Sequence, residues 1–353
     1  MLKRYIAAAL AALRNLVPTA KAAPQQALAA LQGMGRTRLL WLAGAILLVV
    51  AGLGLALVSG SPSDTNAGIE VKLPPIGGKP ALLAPAPDPA LVETSPIGPL
   101  PIVGPDGRQP WQVYARPFDI TDKRPRIALV VTGIGLNRDV SQAALDRLPG
   151  PVTLAFDAYA ATIKEMVATA RSLGHETLIG MPMEPIDYPR QDPGPLTLLA
   201  SLEPGDNIAR LNHLLGESTG YVGVVAILGE RFTQAKASLL PIIETIKKRG
   251  LMFVDNKTIQ ESATIQMSQQ LKLPWAGANR AIDAEADPAA IDQAFADLEN
   301  QARRNGTALG LAALSPALID RASSWVAGLE AKGFALAPAS AIANRQTVLL
   351  GPP

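Results

Sequence analysis

From residue 127 onward, short apolar runs alternate with longer stretches in which apolar residues return every three or four positions. The runs at 127–131, 152–156, 177–181, 222–228, 251–254, 273–278, 308–314 and 334–337 have the length of strands. The segments at 140–148, 162–173, 206–215, 235–249, 263–271, 288–304 and 317–332 have the period of amphipathic helices. Gly174, Gly250, Gly306 and Gly333 close four of those helices just before the next strand, where a left-handed residue commonly ends a helix. Alternation of this kind predicts a parallel sheet with helices outside it. The fold class expected for residues 124–353 is α/β, a closed or nearly closed (β/α) barrel. An open doubly wound sheet, with its ligand at a switch point, is the alternative.

The earlier part of the chain follows another pattern. Residues 39–58 form an uncharged apolar run, matched to the roughly 30 Å of a bilayer core, and are expected to be a single transmembrane helix. Residues 1–38 hold Lys3, Arg4, Arg14, Lys21, Arg36 and Arg38 and no acid. By the positive-inside rule this tail is cytoplasmic, which places the C-terminal domain in the periplasm of a bacterial inner-membrane protein. A cleaved signal peptide fits less well, because the cationic segment is long and the apolar run extended. Residues 59–123 are rich in proline, without helical or alternating period, and read as a linker.

The net charge of +2 changes meaning in this light. With six cations in the tail, the remainder sums to 2 − 6 = −4, and nothing suggests a nucleic-acid partner. The absence of Cys means that no disulfide is available.

In a barrel, chemistry collects where the strands end. Those positions hold Thr132 and Gly133, then Asp157, Glu184, Glu230 with Arg231, Asp255 with Lys257, Arg280 with Asp283, and Ser315. Glu184 stands between Pro182 and Pro185, which stop strand pairing and turn the chain. Four of these carboxylates, Asp157, Glu184, Asp255 and Asp283, and the two arginines are thus expected on one face. Each has an ordinary alternative role as a solvated loop residue or helix cap.

Several classes of function are disfavoured. Gly133 and Gly135 lack the third glycine of a dinucleotide loop, since position 138 is Arg138. His175 precedes the third strand and His213 lies within a helical segment, so a nitrogen-rich zinc site has no ligands at the rim. A carboxylate-only magnesium or calcium site stays open. Ser315 has no Gly-x-Ser-x-Gly elbow and no His partner. No cofactor is expected.

Residues 148–156 (LPGPVTLAF), 181–185 (MPMEP), 192–198 (DPGPLTL), 221–233 (YVGVVAILGERFT), 249–258 (RGLMFVDNKT) and 333–342 (GFALAPASAI) together resemble the divergent polysaccharide deacetylases over nearly all of 126–342. The resemblance implies an irregular (β/α) barrel and metal-dependent chemistry on carbohydrate. The ligand positions depart from the family pattern. The Asp pair after the first strand is Thr132 and Gly133; Asn-Asn-His-Met-Gly is Val225, Ala226, Ile227, Leu228 and Gly229; Gly-His-Pro-His-Pro is Ala312, Ala313, Leu314, Ser315 and Pro316. The groups that would hold a cation to polarise an acyl carbonyl and activate water are replaced.

The expectation is an envelope protein that binds a cell-envelope polysaccharide or an envelope protein without metal-dependent catalysis. Asp157, Arg231, Thr233, Lys257, Arg280 and Asp283 are its candidate binding residues. The alternatives are a carbohydrate hydrolase with Glu184 and Asp255 as paired carboxylates, and a metal-dependent deacetylase with a different ligand set.

Overall fold

The computed structural model describes residues 82–256, 262–283 and 287–346. The elements are β1 (Val92–Ser95), β2 (Gly98–Pro101), α1 (Pro110–Val113), β3 (Arg126–Ile134), α2 (Arg138–Arg147), β4 (Thr153–Asp157), α3 (Ile163–Ser172), β5 (Thr177–Met183), α4 (Pro204–Leu215), β6 (Gly223–Leu228), α5 (Glu230–Gln234), α6 (Lys236–Lys248), β7 (Met252–Asp255), α7 (Thr264–Leu271), β8 (Trp275–Gly277), β9 (Arg280–Ile282), α8 (Pro288–Asn305), β10 (Thr307–Ala313), α9 (Pro316–Leu329) and β11 (Ala335–Leu336). The basic tail and the apolar run at 39–58 lie outside the described residues. Among the described residues, no helix is long and apolar enough to cross a membrane.

Strands β3 to β11 make one parallel sheet in the order β8-β7-β6-β5-β4-β3-β10-β9, and β11 pairs with the start of β3. The order advances in one direction without the reversal of a doubly wound fold. The result is a parallel α/β half-barrel. Its two edge strands, β8 and β9, are consecutive in the chain, and the residues between them cross the seam. Ala278 N–H donates to Asp255 O of β7, and Asn279 N–H to Leu309 O of β10. All these strands are parallel, so their C-terminal ends form one rim.

Both faces of the sheet are apolar, which is why its strands read as continuous hydrophobic runs. Ile127, Leu129 and Val131 of β3, Leu154 and Phe156 of β4, and Ile179, Met181 and Met183 of β5 face the helices. Ala128, Val130, Ala155, Leu178, Val225 and Val254 belong to a second cluster on the inner face. Proline at the first turn and a side-chain cap set the start of several helices. Asp287 caps α8 and Ser315 caps α9 by accepting from Ala290 N–H and Leu318 N–H, and Pro288 and Pro316 follow them.

The expected linker, 59–123, includes folded structure from residue 82 onward. Leu91, Leu100 and Tyr114 are buried, and β1 and β2 pair as an antiparallel hairpin. The prolines do not prevent this, because they occupy tolerated places. Pro89 and Pro110 open short helical turns, and Pro99 and Pro101 lie in a two-stranded ribbon. Leu91 and Tyr114, with Trp111, Val113 and Phe118, join the inner-face cluster. This segment is a strap that covers the inner layer.

Candidate functional site

The strand ends gather the inner-face rim, and its chemistry follows from residue parity. Asp157 shares the parity of inward-facing Ala155, which sets it on the inner face at the end of β4. In the parallel register Asp157 lies opposite Gly180 of β5, and Pro182 lies opposite Ile227 of β6. A Cβ at Gly180 would stand 3.2 Å from Ile227 Cγ1 and 3.3 Å from Phe156 O. Glycine therefore allows Ile227 to lean across the sheet toward the strand that carries Asp157.

The environment of Asp157 is unusual for a carboxylate. Its Oδ1 accepts the N–H of Tyr159 at 2.8 Å, and among the described residues no Lys, Arg or His forms an ion pair with it. Burial pushes its carboxyl above the ordinary value, opposed by the Tyr159 hydrogen bond. Tyr159 is 37% exposed. Its hydroxyl accepts the N–H of Leu196 at 2.9 Å, which fixes the ring at the rim.

Glu184 is placed differently. It is buried, Oε2 accepts the N–H of Ala200 at 2.6 Å, and Oε1 meets Arg231 Nη1 at 3.4 Å. Arg231 Nη2 also donates to Ile186 O. The pair staples the loop after β5 to the start of α5, a short helix that sequence reasoning read as loop. Asp255 is buried and has the parity of helix-facing Phe253, and Ser262 Oγ donates to its Oδ2 at 2.7 Å. Asp255 therefore lies on the opposite side of the sheet from Asp157.

Thr233 is buried in α5, and its hydroxyl donates to Gly229 O at 2.8 Å. Arg280 is exposed and lies 3.6 Å from Asp297 on α8. Asp283 is exposed beyond β9. Lys257 lies outside the described residues. Of the expected constellation, Glu184 and Arg231 meet directly, whereas Asp157 stands apart from them and Asp255 turns to the helix side. Sequence reasoning missed the contact between Gly180 and Ile227. An isolated glycine within an apolar strand was its signal.

The remaining rim positions offer few free donors. Thr132 Oγ1 donates to Ala312 O at 3.3 Å. Ser315 Oγ caps α9. Leu228 adopts a left-handed φ of 57°, strained for a branched side chain, and its carbonyl accepts Asn256 Nδ2 at 2.7 Å. Among the described residues, no three His, Cys, Asp or Glu side chains are grouped so as to hold a metal ion. The described residues at the rim therefore do not supply a ligand set for the cation of a metal-dependent deacetylase.

Comparison with known proteins places this arrangement. The family described as divergent polysaccharide deacetylase matches residues 129–343. The chain belongs to this family. The uncharacterized protein ATU2773 from Agrobacterium tumefaciens C58, known from a crystal structure, is 38% identical with a TM-score of 0.68; the match covers 69% of this chain and 99% of that one. The uncharacterized protein YibQ of Escherichia coli K12 is 23% identical over 224 residues, 63% of this chain and 69% of YibQ. An uncharacterized protein of Haemophilus influenzae is 20% identical over 187 residues, 53% of this chain and 65% of its own length. The divergent polysaccharide deacetylase domain thus begins within β3 and ends after β11, and the strap lies outside the matched residues.

Proposed function

We propose that this protein is a membrane-anchored envelope protein whose divergent polysaccharide deacetylase domain binds a cell-envelope glycan without metal-dependent catalysis. One observation carries the reading. Ile227, at the position where the family pattern has histidine, packs over Gly180, the strand neighbour of Asp157, and puts an apolar side chain there. The other replaced positions point the same way: the Thr132 hydroxyl is bonded to Ala312 O and Ser315 is a helix cap. Apolar groups cannot hold a cation that polarises an acyl carbonyl.

The alternative of Glu184 and Asp255 as paired acids has less support. Glu184 is bonded to Arg231 and Ala200, and Asp255 accepts from Ser262 on the helix side. The apolar run at 39–58 and the cationic tail before it support anchoring in the inner membrane with the domain in the periplasm.

The test is metal content of the purified protein after exposure to zinc and after chelation, with acetate release from acetylated envelope glycans measured on the same samples. The expected result is no stoichiometric metal and no acetate. Stoichiometric metal with chelator-sensitive acetate release would sink the proposal.

A further inference from the structure

The geometry points to Asp157 as the anion of a subsite for a cationic sugar, the ammonium group of an N-deacetylated hexosamine unit, with the adjoining Tyr159 ring as an apolar face for the sugar. The inference rests on the glycan-binding reading and names the class of glycan. A carboxylate on an apolar rim with no ion-pair partner among the described residues pays for its desolvation in every unliganded molecule. An incoming cation offsets that cost, and a neutral acetamido group does not.

The contacts that could otherwise satisfy Asp157 are accounted for among the described residues. Its Oδ1 accepts from Tyr159 N–H, and among the described residues no hydrogen bond or ion pair occupies Oδ2. Charged groups on the flanking elements are Arg138 and Asp139 at the start of α2, Lys164 and Glu165 at the start of α3, Asp192 and Arg210 facing Tyr159, and Glu184 with Arg231 beyond Gly180. None of them contributes to the displacement of the Asp157 carboxyl, which burial dominates. Tyr159 presents a partly exposed ring two residues away, fixed through its hydroxyl to Leu196. Sugars pack their C–H faces on such rings, so an aromatic beside an anion suits an amino sugar.

The chemistry sets the pH response. Binding needs Asp157 charged and the sugar amine protonated. Affinity therefore falls as pH drops through the raised carboxyl value, and falls again where the amine loses its proton.

The test is calorimetric titration of the full chain with a β-1,4-linked glucosamine hexamer, its fully N-acetylated counterpart and a lysine hexapeptide. The expected result is affinity for the glucosamine hexamer about tenfold or more above the acetylated one, with that preference lost in Asp157→Asn and kept in Asp187→Asn. Asp187 is an exposed acid on the loop after β5. The Asp157→Asn chain is expected to melt at a higher temperature at neutral pH, because a desolvated charge is gone. Loss of binding then cannot be ascribed to unfolding.

Equal affinities for the two hexamers, or a preference that survives Asp157→Asn, would overturn the subsite. Binding of the lysine peptide alone would overturn the sugar assignment in favour of a protein ligand. Acetate release would overturn the non-catalytic reading and leave this comparison standing, since the affinity difference between the hexamers is read without turnover.

Discussion

His175 precedes β5 with its ring buried and Nδ1 donating to Val152 O at 2.8 Å. Burial brings its pKa from 6.5 down to about 4, only partly opposed by that hydrogen bond. The folded protein therefore holds a neutral imidazole where the unfolded chain would take a proton. Its contribution to stability is complete above pH 6.5 and is lost as pH falls toward about 4, an effect of roughly 3 kcal/mol. Urea titrations from pH 7 to pH 4 are expected to show this loss, and His175→Gln is expected to flatten it. An equal slope in the variant would assign the acid sensitivity elsewhere. Asp157 has the opposite sign. Its folded value is raised, so its contribution is complete below the ordinary carboxyl range and is lost as pH rises. Neither effect is legible in sequence, since His and Asp look alike buried or exposed and only packing removes their water.

At the scale of elements, the strap illustrates how composition conceals packing. Arg171 at the end of α3 is buried and donates to Gly220 O at 2.6 Å, Ala84 O at 2.7 Å and Tyr114 O at 3.2 Å, with its guanidinium 5.1 Å from the centre of the Tyr114 ring. Burial lowers its pKa, and among the described residues carbonyl oxygens rather than an ion pair stabilise its charge. Arg171→Ala would leave these acceptors without their donor, at a cost of about 3 kcal/mol. Hydrogen exchange is expected to accelerate across 88–102 in this variant while β5 to β7 keep their protection. Uniform acceleration would mean that the strap is not separately latched. The main strands and helices of the barrel were legible from periodicity within a few residues. The hairpin, α5 and β9 were not, because they are too short to show a period and are held by tertiary contacts.

For the whole molecule, buried Glu176 joins the two ends of the described domain. Its carboxylate accepts from Arg116 N–H at 3.2 Å, Ser340 N–H at 3.0 Å and Thr153 Oγ1 at 3.4 Å, and the Ser340 hydroxyl also bonds to it. Thus the strap, the lower end of the sheet and the segment after β11 share one acceptor. Burial raises its carboxyl value despite these donors. Deletion of residues 82–118 would uncover inner-layer residues such as Val130 and Val254. It is expected to lower the thermal midpoint and broaden the transition measured by calorimetry. An unchanged midpoint would show that the strap lies on the barrel without supporting it. By itself, the sequence determined the βα alternation, the parallel sheet, the family and the loss of histidine from the rim, because periodicity and residue identity are local properties of the chain. Tertiary structure alone decided that Asp255 turns to the helix side, that Glu184 pairs with Arg231, that proline-rich residues cover the inner face, and that Ile227 packs over Gly180, the strand neighbour of Asp157. Each of these depends on register between strands and on burial, which arise only when distant parts of the chain meet.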